Sequence, residues 1–336
     1  MKKLIVMILC FCLIRSLTAQ IIFVDPVHGD DLNSGTKDSP LKNLETAVVK
    51  ANSLAVDSSA TIKLFPGLYL LHGKIILQRK EGGLLIEALT LPGEKDWDPY
   101  KMPVISSISD NNSTIQFPHS TGILVAMDDV QIKGLKFTGN ANPAVRYYYP
   151  ISKKDTVRTG LEISQCYFIG ERNVAPIQGA IWVHGAGTHV DHCIFYECKN
   201  ALLLFDHIKD FALTNSIIYG AYEAAVWFGP FVSEFTFKNN VISGCNFVWL
   251  RKESTYPKYV FQNSLFAGNK NFMGYYAKNG LQVADRNEHV EKGIVQSAEK
   301  VNLKTVEQNG LFDGYLHLLD NTIGADLKSG IYTEKN

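Results

Sequence analysis

The chain has 336 residues, 46% of them hydrophobic, and sets 33 basic side chains against 33 acidic ones for a formal net charge of zero. That length builds a large core, in one long domain or two ordinary ones. The even charge excludes the basic footprint of a nucleic-acid or anionic-lipid binder.

The opening "MKKLIVMILCFCLIRSLTAQ" joins two lysines, an apolar run and a small-residue exit at Thr18-Ala19-Gln20. This is the pattern of a secretory signal over residues 1–20, and the run is short for a retained membrane span. The mature chain, 21–336, is expected to be secreted or periplasmic, monomeric and without an integral membrane segment. Four cysteines remain in it, Cys166, Cys193, Cys198 and Cys245, with no Cys-x-x-Cys pair. Neither a disulfide framework nor a structural zinc site is expected, and no other cofactor or metal.

An internal repeat organises the middle of the chain. Segments starting at Ile132, Ile163, Val190, Leu213, Phe237 and Phe261 share an apolar start, a polar or Gly third position and Phe or Ile at the sixth, in steps of 31, 27, 23, 24 and 24 residues. The segments are too short and too rich in β-branched and aromatic residues for helical repeats, and the leucine spacing is not that of a leucine-rich repeat. A coil of three short strands fits, with successive coils about 4.8 Å apart. The third positions, Gly134, Gln165, His192, Asn215, Asn239 and Asn263, then mark a tight bend. Asn accepts left-handed geometry there, and Asn215, Asn239 and Asn263 can bond to one another from coil to coil. Cys166 and Cys193 share the next position. They are expected as reduced, inward, stacked thiols, because parallel stacking orients two cysteines poorly for a disulfide.

About twelve residues further along each unit a second strand is predicted, in "AVRYYYP", "AIWVHGA", "ALLLFDH", "AVWFGPF", "FVWLRKE" and "FMGYYAK". Alternation sends Ile181/Val183, Leu202/Leu204, Val226/Phe228 and Val248/Leu250 inward, and Trp182/His184, Leu203/Phe205, Trp227/Gly229 and Trp249/Arg251 outward. The long steps predict insertions near Tyr148–Arg158 and Glu171–Gln178. In this register Arg146 stacks on Trp182 and Tyr148 on His184, with Asp206 one rung further and Tyr147 in the core. Arg146, Tyr148, His184 and Asp206 form a candidate catalytic group. The cation would neutralise a uronate carboxylate, one titratable group would take the proton alpha to it, and another would protonate the leaving oxygen. The row Trp182, Trp227 and Trp249, extended by Arg251 and Lys252, suits the faces of sugar rings, a covered sheet face or a partner interface. Asp206 with Glu223 or Glu234 is a two-carboxylate alternative. His189, Asp191 and His192 do not converge by alternation, so no metal site is expected.

With the repeat in place, the chain resembles the secreted right-handed parallel β-helix proteins of the pectate-lyase-like superfamily. "FVDPVHGDDLNSGTKDSPLKNLETAVVKA" resembles their opening strand, loop and capping helix, here within 21–56. "IKLFPGLYLLHGKIIL", "MPVISS" and "DDVQIKGLKFTGN" match successive coils, and "GYLHLLDNTIGADLKSGIY" resembles a closing segment, here within 281–336. The resemblance implies an all-β, single-stranded right-handed solenoid of three sheets in one domain, and polysaccharide as the partner. It leaves the activity open, because the superfamily holds lyases, hydrolases, esterases and non-catalytic members. In "VDHCIFYECKNALLLFD", Asn200 and Leu204 stand where pectate lyases carry calcium-binding carboxylates. The Arg-x-Pro-x-x-Arg element, the polygalacturonase motifs and the pectin methylesterase signatures are absent. The leading reading is a polysaccharide-active enzyme, lyase before hydrolase. The second is a non-catalytic glycan-binding or surface scaffold protein.

Overall fold

A computed structural model describes residues 20–54, 59–228, 235–254, 259–284, 290–305 and 314–332. The predicted signal lies almost wholly outside these residues, as do Gly229 and Glu234. The six third-position residues all turn left-handed, with φ between 42° and 72°. Each bend ends a strand of a first sheet and begins one of a second; the chain then crosses to a third sheet and returns. Among the described residues this winding yields parallel sheets of ten, nine and nine strands. The third sheet ends in one antiparallel hairpin, Asn271–Ala277 with Gly280–Ala284.

Stacking satisfies the polar bend and fills the core. Asn263 Nδ2 donates to Asn239 Oδ1 (2.7 Å) and Asn239 Nδ2 to Asn215 Oδ1 (2.9 Å). Asn215 Nδ2 in turn donates to Asp191 Oδ1 (2.8 Å). A second row runs beside it: Cys193 N–H donates to Ser216 Oγ, Ser216 N–H to Asn240 Oδ1 and Asn240 N–H to Ser264 Oγ. Cys166, Cys193, Cys198 and Cys245 are buried and unbridged. Inside, Phe137, Phe168 and Phe195 form a pile at 5.0 and 4.9 Å with nearly parallel rings, each contact adding about 0.5–1.5 kcal/mol beyond its buried area. The helix Leu44–Asn52 closes the N-terminal end by burying Leu44, Ala47, Val48 and Ala51.

The C-terminal segment packs on the second sheet. Val301, Leu316, Leu318 and Ile331 cover the outward row Tyr167, Ile194, Ile217, Val241 and Leu265. Gly330 N–H donates to Asn215 O, Ser329 Oγ–H to Asn239 O, and Gln165 Nε2–H to Ile331 O. Among the described residues, this segment leaves the third sheet's outer face to other elements.

The third sheet corrects the expected register at two places. Its outward row is Ser152, Trp182, Leu203, Trp227, Leu250 and Gly274. The inward row is Ile151, Ile181, Leu202, Val226, Trp249 and Met273. Trp249 is therefore not outward but fully buried, against Phe237 and Phe261, and Leu250 takes the outward place. Aligning Trp227 with Trp249 is a slip of one residue, which reverses every side chain. Alternation also fails at the strand start, where two consecutive residues, Ala225-Val226 and Val248-Trp249, both join the core. The second correction concerns Tyr148–Lys153, expected as an insertion. It is itself the strand that pairs with Ile181–Val183.

Candidate functional site

The site lies on the outer face of the third sheet, around Trp182. Past the strand ends the stacking continues: His184 N–H donates to Lys153 O and Phe205 N–H to Val183 O. Lys154, His184 and Phe205 thus occupy the next outward position along Ser152, Trp182 and Leu203. Phe205 lies against His184 on one side (5.8 Å) and Trp227 on the other (4.5 Å). The loop between Ser107 and Ser120 folds over this face. A bridge between Ser113 and His119 closes its tip, setting Phe117 nearly parallel to Trp182 (6.4 Å) and His119 at 5.4 Å from it. Tyr149 packs on Trp182 at 4.6 Å. Trp182 is left 5% exposed, and its indole Nε1–H is buried without an acceptor among the described residues.

Three basic groups converge there. His119 Nδ1 is 2.8 Å from Phe117 O, a group that only accepts, so Nδ1 carries the proton. Its Nε2 then accepts from the Lys154 ammonium at 2.7 Å. Burial, with the charges of Lys154 and Lys74, holds the His119 imidazole below its ordinary pKa. Lys154 lies over the Trp182 ring at 4.8 Å and is pulled down to about 8 by burial and the charge of Lys74. The turn bearing Lys154 is pinned by its inward neighbour: Lys153 Nζ donates to Arg158 O and Ala186 O. His184, 8% exposed, points Nδ1 at Asp206 Oδ2 across 3.3 Å. Burial lowers its pKa, with Asp206 opposing and Lys154 and Lys153 assisting. Asp206 thereby fixes the proton on Nδ1. Nε2 keeps its lone pair and has no hydrogen-bond partner among the described residues. This is the arrangement of an oriented general base.

The predicted residues divide between those the fold gathers and those it does not. His184, Asp206 and Trp182 come together, with Trp227 beyond Phe205. Arg146 is exposed and lies over its neighbour Tyr147 at 5.3 Å, and Ser152, not Arg146, is opposite Trp182. Tyr148 pairs with Ser120 and faces the core, while Tyr147, expected inside, joins the outer aromatic cluster. The register of this coil is six residues from the expected one, with Ser152 rather than Arg146 opposite Trp182. Arg251 is buried over Tyr275, donates to the carbonyls of Lys252 and Glu253, and falls in the inward register of Leu204, two coils before it. Lys252 is exposed opposite Tyr276. Glu223 is occupied by Tyr276 (2.7 Å), Asn200 (2.7 Å) and Lys199 (3.5 Å). Sequence reasoning missed His119, Lys154 and Lys74. The alternating run Ile151-Ser152-Lys153, thirty residues before Ile181-Trp182-Val183, would have placed Lys154 beside His184. Nothing comparable marks the His119 loop.

No group of three or more His, Cys, Asp or Glu side chains able to hold a metal ion occurs among the described residues. No helix among them is long and apolar enough to cross a membrane.

No curated protein matches the sequence. Among solved structures, a pectin methylesterase in complex with a hexasaccharide is similar at a TM-score of 0.55 and 11% identity, covering 95% of this chain and 99% of that one. The pectin methylesterase PemA of Erwinia chrysanthemi is similar at 0.55 and 10%, over 95% and 99%. A rhamnogalacturonan lyase is similar at 0.42 and 12%, over 95% and 97%. At these identities the likeness is one of fold. The sequence model of the right handed beta helix region matches residues 106–293, more than half of the chain, and the protein belongs to that family.

Proposed function

We propose that the protein is an exported carbohydrate-active β-helix protein that cleaves a uronate-containing polysaccharide by β-elimination over Trp182. The observation that carries this reading is His184, buried, held by Asp206 in the Nδ1–H form, with a free Nε2 beside a half-buried ammonium. A neutral imidazole at neutral pH can take the proton alpha to the uronate carboxylate. The electron pair left behind forms the ring double bond, the bond to the leaving oxygen breaks, and that oxygen takes a proton from Lys154. A lysine shifted to about 8 is still charged at pH 7 and a better acid than an ordinary one. The saccharide bound to one similar esterase supports carbohydrate as the ligand class. Hydrolysis ranks lower because Glu223, the described carboxylate expected to partner Asp206, is already committed to three neighbours. The second reading, a glycan-binding or scaffold protein without catalysis, draws on the cover that Phe117 and His119 place over Trp182. Export rests on the signal pattern of residues 1–20.

The test is incubation of the mature chain with polyuronates and neutral glycans, following unsaturated-product absorbance and reducing ends together. The proposal expects unsaturated product from a polyuronate, lost in His184→Ala while circular dichroism shows the fold retained. Reducing ends without unsaturation would indicate a hydrolase. Binding with every polymer left intact would leave the non-catalytic reading.

A further inference from the structure

We propose that Lys74 and Lys154 form an oxyanion site beside Trp182 that takes an acidic substituent, carboxylate or sulfate, of the bound glycan. The inference rests on the glycan-binding reading above and adds which group on the sugar is recognised. Lys154 Nζ contacts His119 Nε2 (2.7 Å), Ser113 Oγ (3.4 Å) and the Trp182 ring. Lys74 Nζ donates to Asn112 O (3.0 Å), on the same loop as Ser113 and His119. Both lysines are half-buried, and among the described residues neither forms an ion pair with a carboxylate. They are close enough for the charge of Lys74 to weigh on both His119 and Lys154.

Two other sheltered lysines meet carboxylates, Lys63 at Glu87 (2.8 Å) and Lys199 at Glu223 (3.5 Å), whereas Lys153 and Lys136 are held singly by backbone carbonyls rather than as a pair of like charges. Two like charges sharing sheltered ground without a counterion disfavour each other. The buried indole N–H of Trp182, without an acceptor among the described residues, adds a second unmet demand. All three groups ask for the same thing, oxygen carrying negative charge. Asp206 does not supply it, because it lies on His184. A planar carboxylate or a sulfate ester has enough oxygens to meet two ammonium groups and one N–H. The neutral tautomer of His119 belongs to the same design: Nε2 and Ser113 Oγ take two of the Lys154 N–H groups and leave the third for the ligand.

The test uses calorimetric titration of the mature chain bearing His184→Ala, which holds turnover off. Three octasaccharide probes are used: octagalacturonate, the same oligomer with its carboxyls reduced to alcohols, and a neutral octasaccharide carrying sulfate esters. The site predicts that at least one anionic probe binds about tenfold or more tighter than the reduced oligomer, and the tighter anion identifies the substituent. Lys74→Gln should remove most of that preference while leaving the weak binding of the reduced oligomer. Equal affinity for all three probes, absence of binding by both anionic ones, or a preference that survives Lys74→Gln would overturn the inference. Its failure separates from that of the lyase reading. Anion-selective binding without cleavage by the wild type sinks the lyase and keeps the site. Cleavage with KM unchanged in Lys74→Gln keeps the lyase and sinks the site.

Discussion

Replacing His317 by Phe should remove about 2 kcal/mol from the protein's loss of stability between pH 7 and pH 4.5. His317 sits in the C-terminal segment, its ring stacked on Tyr332 at 4.7 Å. Nδ1 donates to Tyr315 O, and Nε2 accepts the backbone N–H of Ile331, a fully buried residue. Both bonds use the neutral ring, since a protonated Nε2 cannot accept. Burial holds the folded pKa at about 4 against an ordinary 6.5, with Lys304 and His192 adding and the Tyr315 carbonyl opposing. For a histidine whose folded pKa is depressed, the unfolded chain binds the proton first. The stabilising contribution is whole above pH 6.5 and is lost as pH falls toward 4. With those two values the cost is about 0.2 kcal/mol at pH 7 and about 2.6 kcal/mol at pH 4.5.

Phe keeps the ring against Tyr332 but strands the Ile331 N–H, so His317→Phe should be less stable by about 1–3 kcal/mol at pH 7. The gap between the two proteins should then close, or reverse, at pH 4.5. Urea denaturation of both at the two pH values measures it, and the groups they share cancel in the difference. A gap that stays constant with pH would show that His317 is not kept neutral by the tail and would refute the reasoning.

Asn239→Leu should cost about 1–3 kcal/mol in the same assay, because Asn215 loses a donor and Asn263 an acceptor in a partly buried row. Trp249→Ala should cost about 3–5 kcal/mol by opening the core, whereas Trp227→Ala, outward and partly exposed, should cost far less; equal costs would return Trp249 to the surface. Alkylation under denaturing, non-reducing conditions followed by intact mass should count four alkyl groups in the mature chain, and a count of two would reveal a disulfide.

The fold was legible in the sequence because its signal is redundant. Six bends repeat one backbone demand, and Asn215, Asn239 and Asn263 meet it with the residue that both turns left-handed and bonds to its own copy. The third sheet was less legible because its strands are short and begin with two consecutive inward residues. Alternation then offers two registers, and the Trp227/Trp249 likeness selected the wrong one. Half of the candidate site suffered in the same way: His184 and Asp206 lie on coils whose register was right, Arg146 and Tyr148 on one whose register was not. His119 lay beyond reach for another reason. It arrives on a loop from an earlier coil, and no periodicity constrains where such a loop folds.

The asparagine row also has a direction. Every amide donates the same way, Asn263 to Asn239 to Asn215, and the last one donates to a carboxylate rather than to another amide. The side-chain dipoles add head to tail, as peptide dipoles do along a helix, and the positive end meets Asp191. Burial alone would push the Asp191 pKa up. The bonds from His192, Thr214 and Asn215 outweigh it and bring the pKa down. The row is thus polarised along its length by one fixed charge, so its members strengthen one another. Substitutions along it should therefore be non-additive, with any one removing part of what its neighbours contribute.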